Sequence, residues 1–222
     1  MPSPSLETAI ASVQSRIQEA TGFESRWMGG YAKTKVAVDW IYPTLCEHLE
    51  PGATVLDLGS GVGLLGLLLE ALERGHRTHG IEWDERKVAF AQRIRSGTST
   101  VQQGDIFKAP WPEADVVVLV DVLHYFPPEV QRDLLRRIAS HLKPEGVLYL
   151  RVMNRNAPGR ARLTRLLEKA AVLVRWNRAG NVHWRSLEEI QADLMACGLE
   201  PSLCLSGSHL LDGNCLLRAR KP

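Results

Sequence analysis

Between residues 53 and about 152, short uninterrupted apolar runs alternate with stretches in which apolar residues recur every three or four positions. Residues 1–50 show only the second pattern. There Leu6, Ile10, Val13 and Ile17 share one face of a helix. Met28-Gly29-Gly30 reads as a break before a second helical run from about Ala32, and Pro43 as the end or kink of a helix. The alternating region then predicts a buried strand at Ala53–Leu58, a helix at Val62–Arg74 and a strand at Thr78–Trp83. A helix over Asp84–Arg95 follows, with Asp84 as its N-cap, then a weak strand at Thr98–Gln102 and a strong one at Asp115–Val120. Pro127-Pro128 opens a helix to Leu142, and Lys143-Pro144-Glu145-Gly146 turns the chain into a strand at Val147–Val152. Strands separated by helix-length segments imply parallel pairing and a doubly wound sheet. After a helix from Ser186, Leu199–Leu205 and Asn214–Ala219 read as an antiparallel pair that closes it.

Composition narrows the class. At 222 residues, with 45% hydrophobic and 23% charged residues, the chain can build one domain with a full core and is too apolar for disorder. The longest stretch without a charge, Leu58 to Leu69, is 12 residues, short of the ~18 that a membrane span needs. The N-terminus carries no basic segment followed by an apolar one, so no secretory signal is expected. Four scattered cysteines, Cys46, Cys197, Cys204 and Cys215, form no C-x-x-C pair or zinc-type cluster. That pattern fits a reducing cytoplasm better than a disulfide framework, and no metal site is expected.

The most informative stretch is Asp57-Leu58-Gly59-Ser60-Gly61-Val62-Gly63-Leu64-Leu65-Gly66, in which a strand runs through closely spaced glycines into a helix. Such a loop lets a ligand approach the backbone, and the free N–H groups at the helix start favour a negative group. Two cofactor readings compete. Gly61-x-Gly63-x-x-Gly66 matches a dinucleotide fingerprint, with Glu82 21 residues beyond Gly61 where a ribose-binding acid belongs. Asp57, however, is a carboxylate just before the glycines, a poor neighbour for a pyrophosphate and a good one for an ammonium or sulfonium. A ligand with an amino-acid end, a ribose and an adenine satisfies both acids, and S-adenosyl-L-methionine (SAM) is such a molecule.

From about Ala53 to Arg220 the chain resembles the class I SAM-dependent methyltransferases. Asp57 through Gly63 is similar to that family's first motif, and Glu82-Trp83 to its second. Gly104-Asp105-Ile106-Phe107 is similar to the third, Asp115-Val116-Val117 through Asp121-Val122-Leu123-His124-Tyr125 to the fourth, and Leu142 through Leu148 to the fifth, with Glu145 where the family usually has a second glycine. The resemblance implies a Rossmann-like, mostly parallel seven-stranded sheet. Residues 1–50 would form an N-terminal helical lid, residues 51–222 the cofactor-binding domain with a helical insertion at about 154–185, the whole being one structural domain. It also implies that Asp57, Gly59, Ser60, Gly61 and Gly63 hold the methionine portion. Glu82 would take the ribose, Trp83, Gly104, Asp105 and Ile106 the adenine, and Asp121 and the lid residue Tyr31 would complete the cofactor site. Lys35 is expected to close over the cofactor beside Tyr31.

Asp121, His124 and Tyr125 follow a central strand, where an open α/β sheet places its substrate. His124 is the best candidate for a base that deprotonates a hydroxyl acceptor, because histidine titrates near neutral pH; the competing reading is a packed loop histidine. The Asn/Asp-Pro-Pro-Tyr tetrapeptide of amino-directed members is absent, which favours oxygen or carbon acceptors on a small molecule. His183 and Trp184 form a second candidate pair for substrate contact. The net charge of +2 is uneven: Arg151–Arg185 holds nine cations against Glu168, leaving −6 for the rest. Arg162, Arg165 and Lys169 align on one helical face, readable as a solvated face, an anionic membrane contact, or a dock for an anionic substrate or acyl carrier protein. Sparse aromatics there argue against nucleic acid. Two further function classes stay open, a non-catalytic methyltransferase-like subunit and an NAD(P)-dependent oxidoreductase.

Overall fold

A computed structural model describes residues 3–23, 25–95, 97–153, 182–206 and 214–222. Among the described residues, seven strands form a mixed sheet. The chain gathers into two compact units, Met1–Ala114 and Asp115–Pro222.

In the first unit, α1 (Leu6–Ala20), α2 (Arg26–Val38) and α3 (Ile41–His48) precede β1 (Thr54–Leu58), α4 (Leu64–Ala71), β2 (Arg77–Glu82), α5 (Glu85–Ile94) and β3 (Ser99–Gln103). Ser5 caps α1 by accepting from Thr8 N, and Ala9, Val13 and Ile17 bury one stripe, so α1 packs on α2 and α4. The expected break at Gly29-Gly30 does not occur, for both glycines lie inside α2. Tertiary packing explains the glycine: a Cβ at Gly29 would stand 2.1 Å from the Thr21 hydroxyl, so Gly29 permits helices to approach where it was expected to end one. Pro43 sits in the first turn of α3, where its missing N–H costs nothing. Strands run parallel in the order β3-β2-β1, with Asp57 opposite Gly80 and Glu82 opposite Gln103. The helix after β1 is shorter than expected, starting at Leu64 and ending at Ala71; it is apolar on nearly every side and buried accordingly. At its far end Glu70 accepts from Ser99 N and Ser99 Oγ, both at 2.8 Å, and pairs with Arg16 at 3.2 Å, tying α4 to β3 and α1.

The second unit contains β4 (Val116–Val120), a 3-10 turn (Leu123–Tyr125), α6 (Pro128–His141), β5 (Val147–Met153), α7 (Leu187–Ala196), β6 (Glu200–Ser206) and β7 (Asn214–Arg220). The order is β4-β5-β7-β6, with β4 and β5 parallel and both contacts of β7 antiparallel, as the tail pattern implies. Ser186 and Glu189 form a reciprocal capping box at the start of α7. Glu145, in place of the family's glycine, adopts a φ of 65°, a left-handed conformation that glycine takes at no steric cost. The expected basic helix around Arg162, Arg165 and Lys169 lies outside the described residues.

Candidate functional site

β1 carries Asp57 to its end and delivers the chain into Gly59, Gly61 and Gly63, whose φ values are 76°, 59° and 75°. Left-handed backbone at three alternate positions explains the glycines, because a Cβ at each would be strained. The loop is fixed from β2. Gly59 N and Ser60 N both donate to Ile81 O, at 2.8 and 3.3 Å. Ser60 packs against Gly80, where a Cβ would come within 2.4 Å of the serine hydroxyl. At Gly61, by contrast, a Cβ would meet nothing within 4 Å, so this part of the loop faces open space.

Glu82 ends β2 and is 3% exposed. One carboxylate oxygen accepts from Gly61 N at 2.9 Å and the other from Asp84 N at 3.0 Å. Each oxygen keeps a second lone pair, so the carboxylate shapes the glycine loop without exhausting its accepting capacity. Asp84 then caps α5 through Arg86 N, and the Arg86 side chain hydrogen-bonds to it and holds its carboxyl below the usual range.

Asp57 is buried as deeply, yet its carboxylate forms no hydrogen bond among the described residues. Burial, reinforced by the negative charge of Glu82 and opposed by Lys35, pushes its pKa up to about 7. A buried carboxylate beside an open glycine loop suits a ligand that brings a positive group and hydrogen-bond donors. It does not suit a ligand that brings a phosphate.

The remaining expected residues of this unit take distinct places. Gly104 N donates to Glu82 O at 2.9 Å, which sets Gly104-Asp105-Ile106 beside the end of β2. Ile106 is buried; Asp105 is exposed, accepts from Phe107 N at 2.9 Å and lies 3.9 Å from Lys108. Trp83 is partly exposed next to Glu82. Tyr31 lies on α2, its ring parallel to Trp27 and beneath the Lys35 ammonium.

In the second unit, Asp121 follows β4 at a φ of 59° and is clamped by Arg151, whose Nε donates to one oxygen at 2.8 Å while Nη2 donates to the other. Arg151 is missing from the expected site residues. Its signal was a cation inside the otherwise apolar strand Val147-Leu148-Tyr149-Leu150-Arg151-Val152-Met153, since a buried charge requires a counter-charge. Arg185 is likewise buried and paired, with Asp193. Both were counted among the cations of the basic segment, and both are satisfied internally. His124 is 9% exposed within the 3-10 turn, its ring 4.2 Å from that of Tyr125. Its carbonyl accepts from His183 N at 2.7 Å, and Gln131 Nε2 donates to Phe126 O and His183 O, so α6 pins the His183-Trp184 segment to this turn. Pro128, Arg132, His183 and Trp184 are among the residues lining a cavity of about 520 Å³ there. All four cysteines are free thiols, and no metal-binding group of acids, histidines or cysteines occurs among the described residues. None of the described helices is long and apolar enough to cross a membrane.

Comparisons with known proteins agree with this architecture. A family profile described as a methyltransferase domain matches residues 31–202. Acetylserotonin O-methyltransferase of Bos taurus is 30% identical over 180 residues, 78% of this chain and 49% of its own length. The Mus musculus protein of the same name is 32% identical over 129 residues, 54% of this chain and 33% of its own length. The chain thus spans between a third and a half of these relatives. Human N-acetylserotonin methyltransferase, crystallised with SAM, superposes with a TM-score of 0.68 at 24% identity, covering 100% of this chain and 60% of its own. The mitomycin 7-O-methyltransferase MmcR gives a TM-score of 0.68 at 19% identity, over 97% of this chain and 68% of its own.

Proposed function

The chain belongs to the methyltransferase domain family, and on that premise we propose that it transfers a methyl group from SAM to oxygen or carbon of a small molecule. The observation that carries this reading is Asp57, buried at the end of β1 beside an open glycine loop and in need of a cationic partner. The same feature argues against a nicotinamide dinucleotide, whose pyrophosphate would face that carboxylate.

In this reading Asp57 accepts from the ammonium end of the cofactor, and Gly59, Ser60, Gly61 and Gly63 supply the close backbone. Glu82 uses its remaining lone pairs for the ribose hydroxyls. Trp83, Gly104, Asp105 and Ile106 receive the adenine, with Asp121 and Tyr31 at the margins and α1–α3 as a lid. SAM, when bound, supplies an electrophilic methyl carbon for in-line displacement. What remains to the protein is to hold the nucleophile in line and remove its proton. His124 is our candidate for that base. The relatives named as O-methyltransferases favour an oxygen nucleophile over carbon. The positive segment supports an anionic acceptor, or one tethered to an acidic carrier protein that docks on Arg162, Arg165 and Lys169. Free thiols suit a reducing compartment such as the cytoplasm.

The test is methyl transfer from labelled SAM to a panel of small phenols, enols and hydroxy acids, comparing wild type with His124→Ala. The variant should lose roughly 10²- to 10⁴-fold in rate with unchanged affinity for S-adenosylhomocysteine. A loss under tenfold would return His124 to the packing of its turn.

A further inference from the structure

The cavity of about 520 Å³ beside the His124 turn has apolar walls at Pro128, Val182 and Trp184, and its volume falls within the ~300–1,000 Å³ of small-molecule sites. Its shape is fixed from inside α6. Gln131, 1% exposed, donates from Nε2 to Phe126 O at 2.9 Å and to His183 O at 3.0 Å, while His183 N donates to His124 O at 2.7 Å. Three charged residues also line the cavity, and two of them are already matched. Arg185 pairs with Asp193 and donates to Glu189 O at 3.2 Å. Glu189 accepts from Ser186 N at 2.7 Å in the first turn of α7, where the helix end favours a negative charge. The third, Arg132, enters no hydrogen bond or ion pair among the described residues. The indole N–H of Trp184 is buried and has no acceptor among them either. The walls thus leave one positive charge and one N–H donor unmatched.

We propose that this cavity is a carboxylate site, and that the methyl acceptor carries the carboxylate. Arg132 pairs with it and the Trp184 N–H is the second donor. The assignment to the acceptor rests on the reading of the His124 turn as the place where the acceptor loses its proton. Three properties favour this ligand over others. A guanidinium fork meets the two oxygens of a carboxylate at once. The unmatched charge is single, so a monoanion balances it, whereas a phosphate dianion would bring a second negative charge toward Glu189. Apolar walls at Pro128 and Val182 suit a short carbon skeleton behind the acid group. Arg132 thereby becomes a specificity-determining residue on α6, separate from Arg162, Arg165 and Lys169 and from the residues that hold the donor.

The test is a nitrogen-15 NMR titration of the full chain in the presence of S-adenosylhomocysteine, read at the Trp184 indole N–H, whose signal is assigned by its loss in Trp184→Phe. Hexanoate should shift that signal saturably, and hexanamide, of the same shape without the charge, should bind at least tenfold more weakly. Inorganic phosphate should leave the signal in place. Arg132→Gln should weaken hexanoate binding at least tenfold and Arg132→Lys should recover part of the loss, with S-adenosylhomocysteine affinity equal in all three proteins. Equal binding of hexanoate and hexanamide, an unaffected Arg132→Gln, or a Trp184 signal that hexanoate does not move overturns the site and leaves the donor site standing. A shift by phosphate stronger than by hexanoate assigns the cavity to a phosphoryl ligand, and the proposal falls. With labelled SAM, Arg132→Gln should lose at least tenfold in kcat/KM for hydroxy acids and nothing for neutral phenols. Hydroxy acids methylated equally by wild type and Arg132→Gln would separate the cavity from the acceptor. Failure of wild type to bind S-adenosylhomocysteine, with hexanoate still bound, would overturn the methyl-transfer reading and the acceptor assignment with it.

Discussion

Asp57 and Asp121 both stand where a parallel strand ends, Asp57 buried and Asp121 partly exposed, and their surroundings differ. Asp121, in the second unit, is closed off by the Arg151 guanidinium, which hydrogen-bonds both of its oxygens. Asp57, in the first unit, has a second carboxylate nearby, Glu82, whose own oxygens are committed to Gly61 N and Asp84 N. One acid is complete within the protein; the other is left short of positive charge. A fold tolerates the second arrangement where a ligand supplies what is missing. Acidity at a strand end therefore does not identify a binding residue. What identifies it is whether the chain has already neutralised the acid.

The largest effect separating the two sites should come from breaking the completed pair. Arg151→Ala removes a buried guanidinium and leaves the partly exposed Asp121 without its counter-charge; it should cost about 3 kcal/mol in urea unfolding, the low end for buried pairs because Asp121 keeps some solvent contact. The double variant Arg151→Ala/Asp121→Asn should recover part of that loss, whereas additive losses would show that the pair is not coupled.

Asp57→Asn should act in the opposite direction on the cofactor-free protein. The folded-state pKa of about 7 lies above the ordinary 3.8, so the native state holds this proton more tightly than the unfolded chain. Stability is therefore lost as pH rises from about 4 to 7, by up to roughly 4 kcal/mol for a shift of this size. The amide has no charge to bury. Asp57→Asn should unfold at higher urea than wild type at pH 8, with the difference fading toward pH 4. A variant that is less stable than wild type at pH 8 would mean that Asp57 already has a partner.

A smaller effect concerns affinity across pH. The ligand's ammonium end requires ionised Asp57, and at pH 6 only about a tenth of the protein carries that charge if the pKa is about 7. S-adenosylhomocysteine should bind about tenfold more weakly at pH 6 than at pH 8 in wild type, and without this dependence in Asp57→Asn. Equal affinity at both pH values in wild type would remove Asp57 from the binding site.

Much of this was legible in the chain. Periodicity locates all seven strands within a residue or two, because uninterrupted apolar runs are what a sheet covered on both faces requires. Gly29-Gly30 misled because a glycine pair that ends a helix and a glycine that admits Thr21 against it look the same without tertiary context. In the site, the positive φ values of the glycine loop follow from its residue types, and so does the cap at Asp84. The commitment of Glu82 to the loop backbone was not legible, since Gly61 lies 21 residues away and meets it only through the register of β1 and β2. Nor was the neutralisation of Asp121, because its partner sits on the neighbouring strand at Arg151.

The central claim is that Asp57 is the unneutralised acid that holds the ammonium end of the cofactor. Its most direct test is calorimetric titration of wild type and Asp57→Asn at pH 8 with S-adenosylhomocysteine and, separately, with NADH. Wild type should bind S-adenosylhomocysteine and not NADH. Asp57→Asn should lose about 1–3 kcal/mol of that affinity, as expected where a charged group loses its hydrogen-bonded partner. Tight NADH binding with no heat from S-adenosylhomocysteine, or an Asp57→Asn protein that binds it as well as wild type, would contradict the account.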